Sequence, residues 1–292
     1  MLPHLRHFVL LLTALALSGC QQPSEITLKP AEDDTNLEIF TVAQPESTFA
    51  AASVDSSGML PEEQMRFGAL FTVTHVRYDL GDGRPTSYSY SRAFVADSII
   101  SVNSSLAGFR GRDIGPVLLN GRLMLKIEHR LLNLLAGRRD TIRSGVEYVA
   151  NLGGEFQHLY TWRANPPQLG PIDESIVAPD TIVLHSPRGG SSIPRDKELV
   201  MQWKPGGGGA MSVIVSRYVE VRRGFVPLAE FRARVNAGSA TVPPRILKQF
   251  PVGLYMLTFI QANRRQEIVV NQYSGKLMLQ AASVYNCLVG LQ

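Results

Sequence analysis

The strongest constraint on this chain is its punctuation. From residue 181 to residue 284, short apolar and β-branched runs are cut off by turn residues at regular spacing. Residues 181–184 form one run, ended by Ser186-Pro187 and Gly189-Gly190, and Leu-Val-Met-Gln-Trp at 199–203 forms a second. Glycines at 206–209 make a loop, and residues 211–221 then run through Val213, Val215, Tyr218 and Val221. Further runs fall at 228–235, 240–242, 254–262, 267–272 and 276–284. Alternation with period two sends successive side chains to opposite faces of a strand. Six to eight short strands over about 110 residues, each bounded by turn residues, predict a β-sandwich.

Residues 64–163 carry the same signals less regularly. In 69–78, Leu70, Thr72, Thr74 and Val76 fall on one face and Phe71, Val73, His75 and Arg77 on the other. Leu80-Gly81-Asp82-Gly83 follows, and Asp-Gly tolerates the positive φ angles of a tight hairpin. Residues 87–100, with Tyr88, Tyr90, Phe94 and Val95, read as the returning strand. Asn120-Gly121 marks a second hairpin, and Leu123, Leu125, Ile127 and His129 alternate beyond it. Leu131, Leu132, Leu134 and Leu135 cluster as in a short helix, but a strand running to a turn at Gly137 is the reading taken. Residues 145–152 and 156–162 add two strands. The expected fold class is all-β, with two β-sandwich-like domains after a signal peptide and a disordered tether.

Residues 164–180 hold four prolines and predict a stiff linker between an N-terminal β-rich domain at 64–163 and the sandwich at 181–292. Residues 20–63 are polar, acidic and aperiodic. They have too few clustered apolar residues to offset the cost of ordering, so a flexible tether is expected. Within it, the run 37–42 reads as a strand that docks on the body. Residues 21–63 hold nine acidic residues and one basic residue, Lys29, whereas 64–292 hold 27 basic against 16 acidic, a net +11. That balance either favours anionic partners, such as phospholipid headgroups or acidic glycans, or describes a solvated arginine-rich surface. No block of five like charges occurs, which argues against nucleic acid.

Ahead of the tether, Arg6 precedes a ten-residue apolar run at 8–17. A spanning helix needs roughly 20 such residues, so the run fits a signal-peptide core instead. Leu17-Ser18-Gly19-Cys20 follows directly. This arrangement resembles the lipobox of bacterial lipoproteins. The resemblance implies a signal peptide over 1–19, cleavage before Cys20, acyl chains on that cysteine and export to the cell envelope. In a didermic bacterium Gln21 in place of Asp implies the outer membrane. Each buried methylene contributes about 0.8 kcal/mol, so stable anchoring takes more than one acyl chain. With Cys20 lipidated, the second cysteine, Cys287, has no intramolecular partner, and its strand-like context reads as a buried small apolar residue.

The residues 199–203, the segment Gly238-Ser-Ala-Thr-Val-Pro243 with Ile246-Leu247, and Phe250-Pro-Val-Gly-Leu-Tyr255 resemble immunoglobulin-like modules of bacterial surface lipoproteins. Leu119-Asn-Gly-Arg-Leu123 and Trp162 extend the likeness to two-domain lipoproteins of that kind. The cysteine pair of antibody domains is absent.

Catalytic patterns are sparse. There is no Gly-x-Ser-x-Gly, His-Glu-x-x-His or Cys-x-x-Cys, and His75, His129, His158 and His185 stand isolated in sequence. The glycines at 206–209 lack the Lys-Ser/Thr and helix of a phosphate loop. Asp79 and Asp82 are explained by their turn and supply too few ligands for calcium. Glu128 and His129 should point to opposite faces of a strand, and Glu147 with Glu155 is the other acid–base pairing considered. No metal or cofactor is expected. Tyr88 with Tyr90, and Tyr160 with Trp162, sit two apart, so each pair shares a sheet face. Such a line is either core or a surface for sugar stacking, and Tyr160 and Trp162 are the ligand-binding candidates. The expected role is non-enzymatic binding or scaffolding, with the membrane, an envelope protein or an anionic glycan as partner. The alternative is an envelope glycan-binding or glycan-processing protein whose site forms only in three dimensions.

Overall fold

A computed structural model describes residues 37–41, 67–95, 111–132, 141–166, 170–205, 210–233, 237–267 and 276–292. The lipobox and Cys20 lie outside these residues, as do most of the tether, Leu134, Leu135 and Gly137. The described chain folds as β1 (Leu37–Thr41), β2 (Phe67–Asp79), β3 (Thr86–Val95), β4 (Val117–Leu119), β5 (Arg122–Leu123), β6 (Leu125–Leu132), β7 (Thr141–Gly153), β8 (Leu159–Ala164) and β9 (Ile172–Val177). It continues with β10 (Leu184–Ser186), β11 (Ser191–Ile193), β12 (Leu199–Trp203), β13 (Met211–Val219), β14 (Gly224–Ala233), β15 (Ser239–Val242), a one-turn helix α1 (Pro244–Leu247), β16 (Gly253–Glu267) and β17 (Lys276–Leu291).

Ten strands form one sheet, ordered β1-β14-β13-β16-β17-β2-β3-β7-β6, with β11 alongside β17. Its spine is β17, antiparallel to β16 from Gly253 to Glu267 and parallel to β2 over nearly all of its length. The sequence of β17 explains that place. Leu-Met-Leu-Gln-Ala-Ala-Ser-Val-Tyr-Asn-Cys is apolar on both faces apart from Gln280, Ser283 and Asn286, as suits a strand covered on both sides, and residues 277–287 are all buried. Strands from both sides of residues 164–180 therefore share this sheet.

Two smaller sheets cover one face side by side. Over β2, β3, β7 and the first half of β17 lies the sheet β5-β4-β8-β9, enclosing Phe71, Val73, Ala93, Tyr148, Trp162, Leu277, Leu279 and Ala281. Over β13, β14, β16 and the second half of β17 lies β10-β12-β15, enclosing Met201, Val213, Phe231, Val242, Phe259, Cys287 and Val289. The odd-numbered residues of β17 thus serve one core up to Ala281 and the other from Tyr285. Ser283 stands at the seam, where its Oγ accepts the Ile182 N–H at 3.0 Å.

The second sandwich packs the sheet β10-β12-β15 on the large sheet, with β11 paired in parallel to the end of β17. The Tyr255 hydroxyl donates to the Pro251 carbonyl at 2.7 Å, closing the turn that leads into β16, and burial pushes its pKa up to about 12. Trp203 packs across the sandwich on Phe259, centroids 6.4 Å apart.

Some local expectations change. The segment 164–180, read as a linker, contains β9, paired with β8 from Leu159↔Val177 to Ala164↔Ile172. Ile172 and Ile176 are buried, so the alternating apolar residues between its prolines outweigh the proline content. The run at 37–42 is found as β1, which forms an edge of the large sheet beside β14. The Asn120-Gly121 turn has φ 47° and 78°, as a two-residue hairpin needs.

The turn after β2 joins the two halves. Asp79 Oδ2 accepts the Gly189 N–H at 3.0 Å and the Tyr285 hydroxyl at 3.2 Å, while Oδ1 accepts the Gly81 N–H at 3.2 Å. A Cβ on Gly189 would lie 2.1 Å from Asp79 Oδ1, so only glycine lets the two turns meet this closely.

Candidate functional site

Of the two aromatic pairs, Tyr160 and Trp162 lie in the first core, 1% and 0% exposed. Strand β8 turns Leu159, Thr161 and Arg163 outward, and its period of two sends the aromatic residues inward. Trp162 packs on Phe71 at 6.1 Å and on Tyr160 at 6.4 Å. Its indole N–H donates to Ser91 Oγ at 3.3 Å, and the Ser91 hydroxyl donates to Thr72 O at 2.7 Å. The Tyr160 oxygen accepts the Gln157 N–H at 2.7 Å, and burial raises the phenol's pKa. Neither ring presents a face to a ligand, so the spacing of this pair reports core packing.

Tyr88 and Tyr90 lie on the other face of the large sheet. Tyr78, near the end of β2, joins them in a row of near-parallel rings, with centroids 6.2 Å apart for Tyr78–Tyr88 and 5.9 Å for Tyr88–Tyr90. Tyr88 is 42% exposed. Beside the row, Tyr88, Tyr90, Ser91, Arg92, Val149, Ala150 and Asn151 line a shallow groove of about 370 Å³, within the range of small-ligand sites. A register shift between Ser89 and Tyr90 in the β3–β7 ladder brings Asn151 opposite Tyr90. The Arg92 guanidinium donates through Nε to Glu147 Oε1, a charge-assisted bond beside the groove. Aromatic rings, a guanidinium, a carboxylate and an amide are therefore supplied by three adjacent strands. Register brings Arg92, Glu147, Asn151 and Tyr78 to the pair; the only sequence signal for it was the Tyr88/Tyr90 spacing.

The remaining titratable groups act within the structure. His75 Nδ1 lies 2.8 Å from Ser89 Oγ and the ring stacks on Phe156 at 5.1 Å, but Ser89 is 0% exposed and His75 7%. Burial, and then the Arg77 charge, lowers the His75 pKa and favours the neutral ring. Asp113 accepts from Lys126, the Gly115 N–H and the Tyr148 hydroxyl, in that order of effect, and its carboxyl falls to about 2. Tyr148 also accepts the Ile114 N–H at 2.9 Å, pinning the segment before β4 onto β7, and burial pushes its phenol up to about 12. Cys287 is fully buried, its thiol donates to Pro187 O at 3.5 Å, and burial followed by the Asp79 charge raises it to about 12. Glu147 is buried against Arg92 while Glu155 is exposed, and His158, just ahead of β8, and His185, in β10, are both exposed. Among the described residues no three His, Cys, Asp or Glu side chains gather as metal ligands, and no helix is long and apolar enough to cross a membrane.

Compared with known proteins, the chain matches no protein-family model and no curated sequence.

Proposed function

We propose that this protein is an exported envelope lipoprotein, held by lipid on Cys20, that binds its partner through the tyrosine row of β2 and β3. The observation that carries the reading is the grouping of Tyr88 and Tyr90 with Arg92 and Asn151 in the wall of one groove, with Glu147 behind Arg92. Aromatic rings offer apolar faces to the C–H side of a sugar, while hydroxyl groups need both donors and acceptors, which this wall holds. Arg92 is ion-paired with Glu147, and it is the net +11 of residues 64–292 that favours an anionic glycan over a neutral one. The glycan-processing alternative has less support, because the hydrogen-bonded Ser89–His75 pair is enclosed in the core.

Binding of acidic and neutral oligosaccharides to the full chain tests the site. Acidic ligands should bind, and Tyr88→Ala, at the exposed ring of the row, should weaken binding without changing the unfolding midpoint; equal binding by the variant contradicts the site. Membrane fractionation of Cys20→Ala tests the anchor. The variant should leave the membrane fraction, and its retention there contradicts lipid attachment.

A further inference from the structure

The hairpin joining β13 to β14 ends in an apolar residue that the fold leaves bare: Val221 is 96% exposed. It sits in the 3-10 turn Glu220–Arg222, none of whose residues is buried, with Arg222 and Arg223 exposed beside it. Arg223 has φ 49° and ψ 39°, a left-handed conformation in which glycine would be unstrained. Local backbone preference therefore does not account for an arginine there. Two residues from the turn, Tyr218 pairs with Phe225, their rings edge-on at 5.4 Å and 39% and 37% exposed.

The same end of the sandwich carries Val252 and Leu254, 54% and 43% exposed. The β13–β16 ladder ends at Arg217↔Tyr255, which sets Leu254 next to Tyr218 by register. Behind the tip, Arg217 reaches Val252 O at 3.5 Å and Arg195 donates to Phe250 O at 3.0 Å, while the Nε atoms of both are buried without an acceptor. Glu220 is the acidic residue of the turn, set against Arg222 and Arg223 and, at the foot of the hairpin, Arg217.

A bare aliphatic apex, an aromatic pair behind it and arginines at its sides match the layers of a membrane–water interface. Aliphatic groups sit below the headgroups, aromatic rings sit at headgroup level, and guanidiniums meet lipid phosphates. The tip projects rather than forming a groove, which suits a soft charged surface better than a folded partner. We propose that this hairpin docks on an anionic phospholipid surface, with Val221 entering the headgroup boundary and Arg222 and Arg223 on lipid phosphates. The docking does not depend on lipid at Cys20; with that anchor it would give the second sandwich a fixed orientation on the bilayer.

The test uses the full chain carrying Cys20→Ala and Val221→Cys, labelled with an environment-sensitive dye; Cys287 is buried and should not react. Mixed phosphatidylcholine–phosphatidylglycerol vesicles should shift the dye to the blue and expose it to brominated acyl chains. Arg222→Gln with Arg223→Gln should weaken that response by about 30-fold, taking each basic residue near the surface at its usual worth, and added salt should weaken it further. The readout at 221 separates docking of the tip from vesicle binding by the apolar run at 8–17. A dye that stays in water while the chain sediments with anionic vesicles overturns the proposal. So does an equal shift on pure phosphatidylcholine, or a shift with inorganic phosphate alone, which would mark a free-anion site. A dye that responds only to an envelope protein also overturns it, in favour of a protein partner.

Discussion

Tyr160 with Trp162 and Tyr88 with Tyr90 are the same pattern in sequence, two aromatic residues two apart on a strand, and the fold gives them opposite surroundings. The first pair faces between two sheets and is shut off from solvent. The second lies on the face opposite that core, with Tyr88 42% exposed. Period two decides only that partners share a face. Which face is covered depends on the neighbouring layer, which is set by residues far away in the chain. Ser89 and Ser91, interleaved with Tyr88 and Tyr90, are 0% exposed because they look into the first core. A single strand thus reads as core on one side and as candidate surface on the other.

Substitutions in the two pairs test this contrast. Trp162→Ala should lower unfolding free energy by about 3–5 kcal/mol, the usual cost of emptying a large aromatic site; a loss below about 1 kcal/mol in urea melts would mean that the ring is not core. Ser91→Ala removes the acceptor of the Trp162 indole N–H, and leaving that buried donor unpaired should cost about 1–3 kcal/mol. An unchanged midpoint for this variant in urea melts would contradict the role of that hydrogen bond in the core.

A smaller effect follows from Asp113. Its folded pKa of about 2 lies below its ordinary 3.8, so its stabilisation is present above about pH 4 and is lost as pH falls towards 2. Asp113 is 51% exposed, and screening holds the effect below about 1 kcal/mol. Asp113→Asn should remove that part of the acid dependence in urea melts at pH 5 and pH 2.5, and an unchanged slope would contradict it. Smallest in stability is Tyr88→Ala, expected within about 0.5 kcal/mol as for other surface changes, although binding should fall.

Fold class was legible because short alternating strands and turn pairs are local signals. The hairpin at Asn120-Gly121 and the strand β1 were readable on the same grounds. The β17–β2 pairing was not, since the two strands are almost 200 residues apart in sequence and pair in parallel, and no local pattern encodes a distant partner. Apolar residues on both faces of β17 do signal two-sided burial, without naming what covers each side. In β9 the prolines on either side looked like a linker, yet Ile172 and Ile176 alternate and are buried. The candidate site was half legible. Spacing joined Tyr88 to Tyr90, but only the registers of β2, β3 and β7 bring Asn151 to the groove, Tyr78 onto Tyr88 and Glu147 onto Arg92.

The most direct test of the tyrosine row as a binding surface is calorimetric titration of an acidic oligosaccharide into the full chain, Tyr88→Ala and Trp162→Phe. Tyr88→Ala should lose about two- to tenfold in affinity, the worth of one stacking contact, while its unfolding midpoint stays in place. Trp162→Phe should unfold more easily and bind as the parent chain does. Undiminished affinity in Tyr88→Ala, with affinity lost in Trp162→Phe, would contradict the account.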